Sequence, residues 1–273
     1  MHDKIAFVGG GNMASALIGG LIGNGVPAAS LSAVDIAAEQ RERLTAKFGI
    51  KVSAGAADIA VEADTIVLAV KPQSMHEVAK SIAPLLRQQL VVTIAAGIRT
   101  SDLARWLGNY SRIVRVMPNT PALIGAGVSG LYACPEVSAA ERARAETILQ
   151  AVGTSIWVDR EDLIDAVTAV SGSGPAYVFY FIEAVRKAAL EMGFSSADAQ
   201  KLVMGTFDGA VRLAQTSDED VALLRQRVTS KGGTTERALA AMESGGVGNG
   251  IVSAVHAAMT RAGELGDELG KAE

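Results

Sequence analysis

Residues Lys4–Ala14 read KIAFVGGGNMA, and the order of features in them decides the fold. A short apolar run, Ile5 to Val8, has the composition of a buried strand. It stops on three glycines, and a helical pattern, MASALIGGLIGN, starts at Met13. Gly9, Gly11 and Ala14 thereby fill the positions of G-x-G-x-x-G/A. Each position answers a physical demand. Gly9 permits a tight turn, Gly11 lets the backbone approach a pyrophosphate, and Ala14 keeps helix and strand close, while the helix N-terminus, with Asn12 and Met13 in its first turn, stabilises phosphate charge. The next apolar run, LSAVD, ends on an acidic residue, Asp35, about twenty positions beyond Ala14, where such a motif places a ribose contact. Together these features predict dinucleotide binding.

Working outward, TIVLAV, LVVTIAA and RIVRVM repeat the strand composition, and AAEQRERLTAKFG, QSMHEVAKSIAPLL and TSDLARWLG lie between strands with helical length and apolar spacing. The alternation predicts a doubly wound α/β domain of Rossmann type with a mostly parallel sheet. Two more strands are expected at GVSGLYA and TSIWVD, on either side of the helix SAAERARAETILQAVG. After Asp165 strand alternation ceases and helical segments lengthen. We therefore expect a dinucleotide-binding domain over residues 1–165 and an all-α domain over 166–273. PAYVFYFIEAVRKAALEMG opens on a proline suited to a first helical turn and closes at Gly193. Its segment AYVFYFIEAV is apolar over most of its circumference, more than one buried stripe requires, so a homodimer is expected to complete the core.

Bulk composition narrows the function classes. The chain has 273 residues, 49% hydrophobic and 20% charged, enough for a sizeable core and against disorder. Lys+Arg 25 against Asp+Glu 29 leaves no basic excess to neutralise a phosphate backbone, so nucleic acid is not an expected partner. No charge occurs between Lys4 and Asp35, yet glycines interrupt the apolar run too early for a membrane span or a signal core. A single cysteine, Cys134, fits a reducing cytoplasm and reads as a buried bystander. His2 is near the terminus, and His76 and His256 fall in helical segments without metal-ligand spacing; no metal site is expected.

Two more loops follow strands, where open α/β sheets bind ligands. AVKPQ supplies Val70, Lys71 and Pro72, candidates for cofactor contact; VMPNTPALIGAG supplies Asn119, a candidate for substrate contact, and Thr120. In the second half, VTSKGGTTERALAAME places Gly232, Gly233, Thr234 and Thr235 at a helix start. Exposed N–H groups there would stabilise a small carboxylate, and a threonine hydroxyl would be free for a ring nitrogen; an ordinary glycine turn with a threonine cap fits the same residues.

That stretch resembles the signature of the pyrroline-5-carboxylate reductases, and so, in the family's order, do FVGGGNMA, AVKP, VMPNTPA and SGSGPAYV. The resemblance implies reduction of the cyclic imine 1-pyrroline-5-carboxylate to L-proline by NADP(H), with NAD(H) as the alternative. It also implies a helical dimerisation domain, rings of dimers up to a decamer, and an active site between the cofactor domain and the dimerised helices. Carried onto this chain, Gly233, Thr234 and Thr235 would hold the substrate carboxylate and Thr235 would act on the imine nitrogen. One position departs from the family: Asp35 stands where a small polar residue is frequent, and a carboxylate there would favour NAD(H) over a 2′-phosphate. Two other readings remain at this point. A β-hydroxyacid dehydrogenase-like enzyme would need a catalytic lysine in the helical domain, and neither Lys187 nor Lys201 has the expected motif around it. A non-catalytic NAD(P)-binding dimeric sensor would have no need of a second carboxylate pocket.

Overall fold

The computed structural model describes residues 3–60 and 62–271; His2 lies outside them. The strands β1 (Ile5–Val8), β2 (Leu31–Val34), β3 (Lys51–Ser53), β4 (Thr65–Leu68), β5 (Leu90–Thr93), β6 (Ile113–Met117), β7 (Gly127–Ala133) and β8 (Gly153–Trp157) form one sheet in the order β3-β2-β1-β4-β5-β6-β7-β8. The first six are parallel to one another, β7 runs antiparallel to β6, and β8 runs parallel to β7. The mostly parallel, doubly wound sheet expected from the sequence is therefore present. Strand order reverses between β1 and β4, and a crevice opens there beyond the strands' carboxyl ends.

Uninterrupted apolar runs such as IAFV, TIVL and LVVT are buried along their whole length, because helices cover both faces of the sheet. The helices α1 (Asn12–Gly23), α2 (Ala38–Phe48), α3 (Ala57–Ala60), α4 (Met75–Ile82), α5 (Thr100–Trp106) and α6 (Ala139–Gln150) follow in chain order. One core packs Phe7, Leu17, Ile18, Leu44 and Ile148 on one face; the other packs Ile66, Leu68, Met75, Ile82 and Leu103. The sequence reading missed β3, the one-turn helix α3 and α7 (Leu163–Val167). The strand β3 has only three residues, and α7 continues into a single π-helical turn, Thr168–Gly172.

A polar cluster ties α7 to the sheet. Arg115, in the middle of β6, is 2% exposed and donates to Glu161 at 3.1 Å and to Asp165 at 2.9 Å. Glu161 also accepts the Thr100 N–H at 2.7 Å and its hydroxyl at 2.6 Å, so one carboxylate closes the α5 N-terminus and balances the buried guanidinium. A fixed pairing of this kind is needed to keep a charge inside a sheet.

The chain forms two compact units, Met1–Ser173 with Ala257–Glu273, and Gly174–His256. Compactness thus groups α7 and the π-turn with the sheet, whereas the sequence changes character at residue 165. The remaining helices are α8 (Gly174–Glu191), α9 (Ser196–Gln215), α10 (Val221–Arg227), α11 (Thr234–Ser244) and α12 (Val247–Leu269). The final residues of α12 belong to the first unit, where Asp267 pairs with Arg99 at 2.7 Å. Within the second unit α8 has no buried residue, and Val178, Phe179 and Tyr180 are exposed. This helical unit lacks the residues to cover its own apolar surface. No described helix is long and apolar enough to cross a membrane.

Candidate dinucleotide cleft and anion-binding turn

In the first unit the crevice is a cleft of about 580 Å³. Gly9, Gly11, Asp35, Val70 and Lys71 all line it, so the structure brings together residues that the sequence places on three separate loops. Gly9 has φ +98°, and a Cβ there would sit 2.7 Å from the Ala69 carbonyl oxygen. Both the backbone conformation and the close approach of the β4 loop therefore require glycine. Gly11 is extended, and a Cβ on it would meet open space within 4 Å, the room a ligand's phosphates need. No side chain caps the helix that begins at Asn12, so its first N–H groups remain available to an anion.

Asp35, half-buried at the end of β2, accepts the Gly10 N–H at 2.8 Å through Oδ2 and the Ala37 N–H at 2.9 Å through Oδ1. The Gln40 amide donates to the Gly10 carbonyl, and Arg41 donates to the carbonyls of Asp35 and Ile36 at 2.8 and 2.9 Å. The glycine loop is thus latched to β2 before any ligand arrives. Such preorganisation and such a cleft fit a bound dinucleotide. Asn12 lies at the mouth of a neighbouring cleft with Ser15, Arg43 and Lys47; Met13 packs against the core, and Pro72 starts a short 3-10 turn. Sequence reasoning missed Ala54, Gly55 and Ala56, which follow β3 and line the cleft, because a three-residue edge strand leaves no periodic signal.

Asn119 lies on the loop after β6. Its Nδ2 donates to the carbonyl and the hydroxyl of Ser171, each at 3.2 Å, and its Oδ1 accepts the Val128 N–H at 2.9 Å. Both ends of the amide are engaged in joining the β6 loop, β7 and the π-turn. Cys134 is half-buried and burial pushes its thiol up, which disfavours a reactive thiolate. No cluster of metal-ligating side chains occurs among the described residues.

In the helical unit Gly232 adopts φ +72°, and Gly233 precedes α11 with no side-chain cap. The chain turns through Gly233 N–H to the Ser230 carbonyl at 3.0 Å, and Glu236 accepts the Gly232 N–H at 2.6 Å. That leaves the N–H groups of the first helical turn, at Thr234 and Thr235, without intrahelical acceptors. Thr235 is half-buried and Thr234 exposed.

The sheet order, the glycine turn and the latched acidic residue define the class: a Rossmann-type dinucleotide-binding protein. A family model described as pyrroline-5-carboxylate reductase dimerisation matches residues 161–265, and one described as NADP oxidoreductase, coenzyme F420-dependent, matches residues 4–97. The chain is 47% identical to a pyrroline-5-carboxylate reductase of Pseudomonas aeruginosa, over 98% of both chains. Its structure is similar to that of a pyrroline-5-carboxylate reductase from Coxiella burnetii, with a TM-score of 0.92 and 40% identity over 96% of this chain and 98% of that one. It is also similar to Plasmodium falciparum pyrroline carboxylate reductase with NADP bound, with a TM-score of 0.87 and 29% identity over 97% and 98%. The chain belongs to the pyrroline-5-carboxylate reductase family.

Proposed function

We infer that this chain reduces the C=N bond of 1-pyrroline-5-carboxylate with NAD(P)H to give L-proline. The observation that carries this is the 47% identity to a reductase of that name along nearly the full length of both chains. In support, the first unit has a preorganised dinucleotide cleft and the second an uncapped, glycine-led helix start suited to a small carboxylate.

When bound, the dinucleotide would provide the hydride that the imine carbon needs. Gly9, Gly11, Asn12 and Met13 would give its phosphates a backbone cradle, Asp35 would meet its ribose, and Val70, Lys71 and Pro72 would flank it from the β4 loop. The substrate carboxylate sits on the N–H groups around Gly232, Gly233, Thr234 and Thr235, with its charge stabilised by the α11 dipole. Thr235 hydrogen-bonds the ring nitrogen, and Asn119 shapes the substrate side by fixing the β6 loop on Ser171. No metal or covalent nucleophile is required, because a protonated imine is already electrophilic and orientation provides much of the acceleration. We assign residues 1–165 to cofactor binding and 166–273 to dimerisation and substrate binding. The enzyme works as a homodimer within a ring of dimers, up to a decamer, in the cytoplasm.

The test follows oxidation of NADH and NADPH by the purified protein with and without 1-pyrroline-5-carboxylate, and identifies the product. Imine-dependent oxidation with formation of L-proline is expected. Tight cofactor binding with no turnover on this imine would overturn the assignment in favour of a sensor.

A further inference from the structure

We propose that Asp35 makes this enzyme prefer NADH to NADPH, with Arg41 acting as a positioning residue for the β2 loop and not as a ligand for a 2′-phosphate. The proposal rests on the assignment of the cleft to NAD(P)H. A cation near the end of β2 would ordinarily be needed to accommodate the extra phosphate of NADPH. Arg41 is beside the end of β2 but does not line the cleft; the group that lines it there is the Asp35 carboxylate, held by two backbone N–H groups, Gly10 at 2.8 Å and Ala37 at 2.9 Å. These bonds fix the carboxylate's orientation yet leave each oxygen a further acceptor site for a ribose hydroxyl. A 2′-phosphate at the same place would face like charge, and rotating Asp35 away would abandon two N–H groups of the glycine loop and the β2 loop.

Each of the two nearby arginines has one nitrogen held by protein acceptors. Arg41 Nη1 is seated on the carbonyls of Asp35 and Ile36, 2.8 and 2.9 Å away, which draws its charge along the backbone beneath the loop. Arg43 donates to the Ser15 hydroxyl at 3.3 Å and lines the neighbouring cleft with Lys47. Among the described residues lining the dinucleotide cleft, Lys71 is the one basic side chain, and it stands on the loop after β4, not after β2. Beyond Asp35 the rim continues with Ile36, 92% exposed, an apolar surface suited to a base and not to a phosphate dianion.

The measurement is the dissociation constant of NADH and of NADPH, by calorimetry without substrate, for the wild type, Asp35→Asn, Asp35→Ser and Arg41→Ala. Wild type is expected to bind NADH about tenfold or more tightly than NADPH, a difference of about 1.4 kcal/mol per decade. Asp35→Asn keeps an acceptor for the loop N–H groups and removes the charge, so it is expected to narrow the gap by improving NADPH. Arg41→Ala is expected to weaken both dinucleotides alike. Equal or tighter binding of NADPH by the wild type overturns the proposal, even if the variants fail to fold, and so does a selective loss of NADPH binding in Arg41→Ala. Binding of neither dinucleotide would instead overturn the cofactor assignment, and the preference with it.

Discussion

At the scale of single residues, two positions separate chemistry from support. Thr235 is half-buried at the start of α11 and takes no part in its capping, which frees its hydroxyl for a ligand. Thr235→Ala should lower kcat/KM for the imine by about ten- to a hundredfold, in the range of one lost hydrogen bond to a reacting group, and leave the NADH dissociation constant unchanged. Steady-state kinetics beside calorimetry would separate the two; unchanged turnover would reduce Thr235 to a helix-start residue. Arg115 is the opposite case. It is buried between Glu161 and Asp165, and its removal leaves two part-buried carboxylates without their shared cation. Arg115→Ala should destabilise the protein by about 3–5 kcal/mol, read as a lower urea midpoint. Arg115→Lys should recover only part of this, because one ammonium cannot match a guanidinium that spans two acceptors.

At the scale of elements, α6 illustrates how a local sequence sets a boundary and a pH dependence together. Ser138 accepts the Glu141 N–H at 3.3 Å, and Glu141 accepts the Ser138 N–H at 2.9 Å, closing a reciprocal cap. Burial by itself would raise the Glu141 carboxyl, but the hydrogen bonds from Ser138 and Arg112 outweigh it and hold the carboxyl below its ordinary value of 4.5. A group depressed by folding contributes stability that is present above the ordinary value and lost as pH falls through the folded one. Stability of the wild type should therefore fall on acidification below about pH 4.5, and Glu141→Gln should flatten part of that fall in a series of unfolding curves. Ser138→Ala should cost about 1 kcal/mol at neutral pH.

At the scale of the whole molecule, the helical unit is incomplete by itself. Phe179 and Tyr180, 64% and 72% exposed, lie on a helix with no buried residue, and the match to a dimerisation model spans this region. Ordering such a surface against water is unfavourable, so a second copy is expected to cover it. Light scattering should give a mass of at least two chains at micromolar concentration. Tyr180→Glu should shift the population toward a smaller species; a variant that keeps the wild-type mass would move the interface elsewhere.

The sequence by itself determined the strand and helix alternation, the glycine turn and the acidic residue that ends β2, because these depend on short-range demands: apolar runs buried on both faces, a backbone conformation open to glycine, a helix start without a cap. The helix start at Thr234 was legible for the same reason. Only the tertiary structure decided the rest. The edge strand β3 is too short to carry a period, so the lining it adds to the cleft emerged from its pairing with β2. The reversal of β7 against β6 depends on pairing between strands and not on either strand's composition. The sequence cannot say which of its arginines is spent on structure. Arg115 inside the sheet and Arg41 on the β2 carbonyls became distinguishable from surface charge once distant residues had converged on them, since partners fix what a charged side chain does and packing chooses the partners.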